Sequence, residues 1–340
     1  MEKNLNMREV ARQANVSVAT VSRALRSPDK VAAPTVARVQ AAAESLGYVY
    51  NATAGDILKG RSTVIGLLVP AVGNALFGET LHGIQDVALA AGYSVIQGTT
   101  RYNETSEAML VDSMLQRRVH ALILTGMTYN MEARIQRLAS EAGLRVVVVW
   151  EKPVKGKSIS YVGFDNRDAA RRMTEHLVDL GHHRIGLIAG PYSRVGRARC
   201  RLEGYRDALQ GAGIPFDPDL VIERHPDLLD GREAMEALMA LPERPSAVFA
   251  TSDLLAIGAL KAARSLGLSV PGDVSVSGFD DLDVVAYMNP PLTTMRVDAY
   301  RIGQLAAQVA IEPAGNPARH YCLDSDLVLR GSVGPCPKGT

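Results

Sequence analysis

Four arginines, Arg194, Arg197, Arg199 and Arg201, crowd one short stretch of the chain. A guanidinium carries its donors in a planar fork that suits bidentate binding of a carboxylate. Two uses are open to the cluster: holding an acidic small molecule, or making surface ion pairs with Glu203 and Asp207. Nearer the front, Asn6 to Arg26 (NMREVARQANVSVATVSRALR) offers a second chemistry. A short helix with small polar residues at its start and Arg23 on its outer face suits a DNA major groove. The plainer alternative for this stretch is an ordinary helical hairpin. Catalytic patterns fit poorly. AVGN after IGLLVP lacks the spacing of a P-loop or a dinucleotide loop, and Ser193 stands in no nucleophile elbow and has no assignable His/Asp partner. His182 and His183 sit in a GHHRIG turn that suits capping or packing, and Asp280, Asp281 and Asp283 miss the calcium-loop spacing. We therefore expect no catalytic residue, no metal and no cofactor, and read the chain as a non-enzyme.

These groups need elements to hold them. Asn6 can cap a first helix in which Val10 and Ala14 fall one turn apart, and Asn15 and Val16 make the turn. Ser17 then caps a second helix whose Val21 and Leu25 face inward and whose Val18, Ala19, Ser22 and Arg23 face out. A third helix opens at Pro34 and ends at Gly47, with Val36, Val39, Ala43 and Leu46 on its apolar face. Tyr48 to Asn51 is an extended connector, Ala52 to Lys59 a marginal helix containing Gly55, and Gly60 to Thr63 a linker. Residues 1 to 61 carry nine Lys/Arg against five Asp/Glu, a net +4, so the rest of this net +1 chain is −3. A basic front on a mildly acidic body is what a phosphate-binding headpiece would show.

From Val64 the texture becomes apolar runs alternating with amphipathic helices. Strands are expected at Val64–Val69, Tyr93–Gly98, Ala121–Thr125 and Arg145–Trp150, with helices at Leu76–Ala91, Glu104–Arg117 and Met131–Glu141. A second set follows: helices at Ala169–Leu180, Arg199–Gln210, Gly231–Leu241 and Leu255–Leu266, and strands at Arg184–Ala189, Ala247–Ala250 and Val274–Gly278. Such alternation means an α/β chain with doubly wound parallel sheets. Two of them imply two lobes with a ligand cleft at the strand carboxyl ends. Leu292–Val297 and Tyr321–Leu329 are expected to cross between the lobes. The 340 residues, 47% hydrophobic, suffice for a small domain plus a large one with a sizeable core. No apolar run approaches the ~18 residues of a membrane span. With no export signal and only Cys200, Cys322 and Cys336, widely spaced, the expected home is a reducing cytoplasm.

Assembled, the pieces resemble the lactose/galactose repressor (LacI/GalR) family of bacterial transcription regulators along essentially the whole chain. VARQANVSVATVSRAL, VAAPTVARVQAAAESLGYVYNATA, IGLLVP, VGFDN, HLVDLGHHRIGLIAGP, FATSDLLAIGAL, VPGDVSVSGFDD and PPLTTMRVD occur in the family's order and spacing. The resemblance implies an all-α helix-turn-helix headpiece (1–50), a hinge helix and linker (51–63), and a periplasmic-binding-protein-like effector and dimerisation domain (64–340). Lobe one would take about 64–162 and 292–322, lobe two about 163–291 and 323–340. Val18, Ala19 and Arg23 would take the base-contacting positions, the first two through apolar contact, while Ser17, Thr20 and Ser22 would meet phosphates. Ile57, with Leu58 as the near alternative, would wedge into the minor groove at the operator centre; packing in the dimer is the other use open to it.

For the cleft the family motifs nominate Phe77, Arg101, Thr125 and Glu151 from lobe one, and Asp165, Arg199, Arg201, Ser252 and Asp280 from lobe two. Phe77 and Asp165 have plainer uses in lobe packing and helix capping. Pro226 stands where many sugar-binding members carry an aromatic ring, which puts stacking on a pyranose or purine in doubt. The stretches SPDKV, ATAGDILKG, LVPAVGNALFGETLHGIQ, ILTGMTYN and VGFDNRDAARRMT resemble the gluconate-repressor branch most. The expectation is thus a homodimeric repressor of palindromic operator DNA, controlled by a sugar-like effector, with an aldonate such as gluconate or ketogluconate as inducer. The tail after Leu329 has no heptad repeat to make a tetramer. A soluble sugar-binding protein or enzyme with a helical N-terminal extension is the alternative.

Overall fold

The computed structural model describes residues 6–49, 62–71, 73, 75–154, 158–313 and 315–337. Their contacts divide into two units, Met1–Thr63 and Val64–Thr340. The expected hinge, with Gly55, Ile57 and Leu58, lies outside the described residues.

Among its described residues the first unit holds three α-helices, α1 (Met7–Ala14), α2 (Val18–Arg26) and α3 (Ala33–Leu46). The Asn6 side chain caps α1, accepting from the N–H groups of Arg8 and Glu9 at 2.9 and 3.3 Å. Asn15 ends that helix in the left-handed region at φ +52, which its short polar side chain tolerates. Ser17 caps α2 by accepting the Thr20 N–H at 3.1 Å. Pro34 lies in the first turn of α3, and Gly47 closes it at φ +67. Val10, Ala14, Val21, Ala24, Val39, Ala42 and Ala43 form the core, while Leu25, Val36 and Leu46 pack at its margin. The inward stripe of α2 therefore runs through Val21 and Ala24 rather than Val21 and Leu25. The small alanines let the three axes approach.

The second unit opens with β1 (Val64–Val69), α4 (Ala75–Ala90), β2 (Ser94–Thr99), α5 (Glu104–Gln116), β3 (Ala121–Thr125), α6 (Glu132–Ser140), β4 (Arg145–Val149) and β5 (Ser160–Phe164). Then come α7 (Asn166–Asp179), β6 (Ile185–Ala189), α8 (Gly196–Gly211), β7 (Val221–Glu223), α9 (Leu228–Met239), β8 (Ala247–Ala250), α10 (Asp253–Ser265) and β9 (Ser275–Ser277). The closing elements are β10 (Thr294–Arg296), α11 (Ala299–Ala310), β11 (His320–Leu323) and β12 (Asp326–Val328).

Six strands in the order β11-β5-β4-β3-β1-β2 build the first sheet, and β7-β6-β8-β9 the second, every pairing parallel. Both faces of the first sheet are covered, so its inner strands read as unbroken Val/Ile/Leu runs. Ile65, Leu67, Ile123 and Val147 pack into one apolar cluster, and Leu68, Leu122, Leu124 and Val148 into another. Two of the expected crossing segments pair with each other: β10 and β12 run antiparallel. The chain first leaves lobe one after β5, at Asp165, and β11 returns to that sheet beside β5. The last described residues then dock on lobe two, where the Val276 N–H donates to the Ser332 carbonyl at 2.9 Å.

Helix α8 lies against α7 at Gly204, where a Cβ would collide with the Arg167 carbonyl. That close approach sets the first turn of α8 at the cleft between the lobes.

Candidate functional site

Strand ends of both lobes converge on one narrow cleft. Phe77, Tyr102 and Trp150 line it from lobe one; Pro191, Val195, Arg197, Arg201, Pro226, Thr251, Ser252 and Asp280 line it from lobe two. The space left open is about 40 Å³, little more than one water's share of the liquid, ~30 Å³. An aromatic column backs it. Phe77 meets Trp150 edge-on at 6.5 Å, Trp150 meets Phe164 at 6.0 Å, and Phe164 stacks on Phe279 at 6.0 Å, joining lobe one to lobe two.

Arg201 is, with Arg197, one of two buried cations among the described residues of the site. Its Nε donates to Asn166 Oδ1 at 2.9 Å, one terminal nitrogen donates to the Thr251 carbonyl at 2.6 Å, and its Cζ lies 3.7 Å from the Phe279 ring centroid. The Asp280 carboxylate stands 3.8 Å away and accepts from the Ser252 hydroxyl at 3.3 Å. Burial lowers the Arg201 pKa to about 10, and Asp280 opposes that, so the guanidinium stays charged at neutral pH. Burial raises Asp280 to about 6 despite the pull of Arg201. Asp253 behind it is raised by burial and by the charge of Asp280, though it accepts from the Thr294 hydroxyl and the Leu282 N–H at 2.7 and 2.8 Å.

The cleft wall is strained where it is most polar. Trp150 has φ +71, Asp280 +120 and Asp281 +55, conformations that L side chains rarely adopt and that cluster at ligand sites. Among the described residues, the buried Trp150 indole N–H and the Thr125 hydroxyl lack a hydrogen-bond partner. The lobes also touch through backbone, in an antiparallel bridge between Thr128 and Val195. Glu107 holds Thr128 from behind, its carboxylate accepting from the hydroxyl at 2.7 Å and the N–H at 3.2 Å.

In the first unit, α2 presents Val18, 40% exposed, with Ala19 and Arg23 also exposed, and Ser22 half-buried. The Ser17 hydroxyl is engaged as the cap and lies 2.8 Å from that of Thr20.

Residues 6–51 match the family model described as bacterial regulatory proteins, lacI family, and residues 174–333 match a periplasmic binding protein-like domain. The HTH-type transcriptional repressor CytR of Escherichia coli (strain K12) is 34% identical over 341 residues, spanning 99% of this chain and 98% of the relative. The chain belongs to the lacI family of bacterial regulatory proteins. Among the other relatives of this lacI-family regulator, the ribose operon repressor of Escherichia coli (strain K12) is 32% identical across 96% of this chain and 99% of its own. The lac repressor dimer bound to operator and the anti-inducer ONPF superposes with a TM-score of 0.82, at 27% identity, over 98% of this chain and 100% of that one.

Of the nine cleft residues expected in this lacI-family chain, Phe77, Arg201, Ser252 and Asp280 meet at the inner cleft. The others stand elsewhere. Arg199 points outward, its side chain 63% exposed and 3.7 Å from Glu203; positions two apart on a helix face different ways. Arg101 is exposed in a tight turn at φ +53, and the next residue, Tyr102, lines the cleft instead. Thr125 is buried and offers its carbonyl, which accepts from Arg197 at 3.0 Å. Glu151 borders an outer cavity rather than the cleft. Asp165 is a helix cap, accepting from the N–H groups of Arg167 and Asp168 at 3.2 Å each and ion-paired with Lys152. Burial pushes its carboxyl up, and these donors outweigh that, leaving it below the ordinary range.

Tyr102 and Trp150 escaped the sequence reading as ligands, and Arg197 entered it only as one of the four clustered arginines. Trp150 had a signal, since it is the residue on which a VVVV strand ends. Near Pro226 the opposite lobe places the Tyr102 ring, which sits 6.5 Å from the His225 ring.

Proposed function

We propose that this regulator is a homodimeric operator-binding repressor whose DNA affinity is set by a small sugar-like effector in the inter-lobe cleft, a sugar acid such as gluconate or ketogluconate acting as inducer. The observation that carries the effector class is charge. Two guanidiniums, Arg197 and Arg201, line the inner cleft against one carboxylate, Asp280, so one positive charge has no lining partner. An aldonate supplies the missing carboxylate to a forked donor and its hydroxyls to Asp280 and Ser252. The exposed Val18, Ala19 and Arg23 of α2 suit base edges, and Ser17, Thr20 and Ser22 suit phosphates. In this reading 1–50 is the headpiece, 51–63 the hinge carrying Ile57 and Leu58, and 64–340 the effector and dimer domain. It works in the cytoplasm and catalyses nothing, as suits a relative of repressors. Among the described residues no helix is long and apolar enough to cross a membrane.

Effector binding changes the relation of the lobes, and the paired hinges pass that change to DNA as a population shift. A second reading keeps the mechanism but takes a neutral cyclic sugar; the Phe77, Tyr102 and Trp150 rings at the cleft favour it. Selection of duplexes from a random library with the full chain supplies an operator. Operator anisotropy is then read with D-gluconate, 2-ketogluconate, D-ribose and D-glucitol. Release by the two acids is expected. Release by neutral sugars alone overturns the sugar-acid reading, and operator binding that survives deletion of residues 1–61 overturns the repressor reading.

A further inference from the structure

Arg197 stands in the first turn of α8 at the boundary of two spaces. Inward is the cleft of about 40 Å³; outward is a cavity of about 560 Å³ bordered by Glu151, Asn166, Arg167 and Cys200. The Arg197 side chain lines both. It is 9% exposed and crosses from lobe two to lobe one, donating to the Thr125 carbonyl at 3.0 Å, with its Cζ 5.8 Å from the Tyr102 ring centroid. Gly126 makes the crossing possible: at φ +76 it carries no Cβ, and one there would collide with the guanidinium.

The contrast with Arg201 is one of partners. Arg201 is fixed by Asn166, Thr251, Asp280 and the face of Phe279. Arg197 rests on a neutral carbonyl, and among the described residues no carboxylate lies within the 4.0 Å that defines an ion pair. Glu107 is already committed to Thr128. A carboxylate offers the fork two parallel acceptors and the opposite charge where the carbonyl offers one neutral acceptor, so an entering anion outcompetes the carbonyl. A space of about 40 Å³ also admits no sugar as it stands, so one wall must move. Arg197 is the wall with an exchangeable partner and long single-bonded stem.

We propose that Arg197 is both the gate of the effector cleft and its anion-selecting residue, closing the passage from the outer cavity by resting on the Thr125 carbonyl and swinging to pair with an effector carboxylate. The proposal rests on the reading of this cleft as the effector site.

Trp150, the single tryptophan of the chain, lines the inner cleft and reports on it without a label. Acrylamide quenching of its fluorescence in the effector-free full chain tests the gate. Arg197→Met keeps the stem and removes the charge; it should raise the quenching constant several-fold, whereas Arg199→Ala on the outward face should leave it unchanged. Unchanged quenching in Arg197→Met, with native circular dichroism, overturns the gate. Titration by the same fluorescence tests selection: D-gluconate should bind Arg197→Met about 10- to 100-fold more weakly while D-glucitol is unaffected. Equal losses for both overturn selection. Arg197→Lys, which keeps a point charge without the fork, should retain part of the preference and serves if the Met variant fails to fold. If D-gluconate fails to bind the wild-type chain, the sugar-acid reading falls, and quenching still decides the gate.

Discussion

Arg201 is the cation ion-paired with the buried Asp280, and it also feels the charge of the buried Asp253. Removing one member of a buried pair costs about 3–5 kcal/mol because the other charge is left stranded. Asp280 has a partial escape, since its folded pKa of about 6 lies above the unfolded value of 3.8. Its contribution to stability is therefore fully present below 3.8 and lost as pH rises through 6. Arg201→Met should lower the melting temperature more at pH 8, where Asp280 is ionised and has lost its ion-pair partner, than at pH 5, where it takes up a proton. Calorimetry at the two pH values checks this, and an equal loss at both would show that the guanidinium acts through packing alone. The same helix explains why sequence nominated the wrong partner for Arg201. Motif matching placed Arg199 and Arg201 together before Gly204, with the helix starting at Arg199. The helix in fact begins at Gly196, so Arg197 and Arg201, four apart, share the inward face and Arg199 falls outside it.

Local chemistry sets the elements best where a cap or turn has one residue to rely on. Asn15 at φ +52 and the Ser17 cap fix the angle between α1 and α2. Asn15→Val should cost about 1–2 kcal/mol, the strain of a left-handed β-branched residue, whereas Asn15→Gly should be close to neutral. Hydrogen exchange at the α2 amides in the full chain reads the difference, and equal protection in the two variants would mean that the turn does not hold the angle. These signals were legible because they are local. Helix α11 went unread although its pattern is one-sided: Tyr300, Arg301 and Gln308 are exposed on one face, and Ile302, Leu305, Ala306 and Val309 are buried on the other. The β10–β12 pair was legible only as two crossing segments, because its partners are joined by tertiary approach rather than by any turn. Strands β5 and β7 are short and lie within motifs that carry no alternation of their own.

At the scale of the whole molecule the claim is one of linkage. If effector binding weakens the operator complex by some factor, the operator must weaken effector binding by the same factor, because both close one thermodynamic cycle. Coupling of this kind commonly amounts to about 1–3 kcal/mol, a 5- to 150-fold change. Trp150 at the cleft and a labelled operator duplex read the two directions independently in one sample. D-gluconate titrated against the free and the operator-saturated chain should give two affinities whose ratio equals the ratio of operator affinities without and with saturating D-gluconate. Arg23→Ala should weaken operator binding with little effect on that ratio, since the base contact proposed for it is common to both states of the cleft. Arg201→Met should abolish effector binding and with it the ratio, leaving operator affinity at its effector-free value. Unequal ratios in the wild-type chain would mean that the cleft and the headpiece do not answer to one shared equilibrium. The effector would then act by some route other than a shift between two arrangements of the lobes.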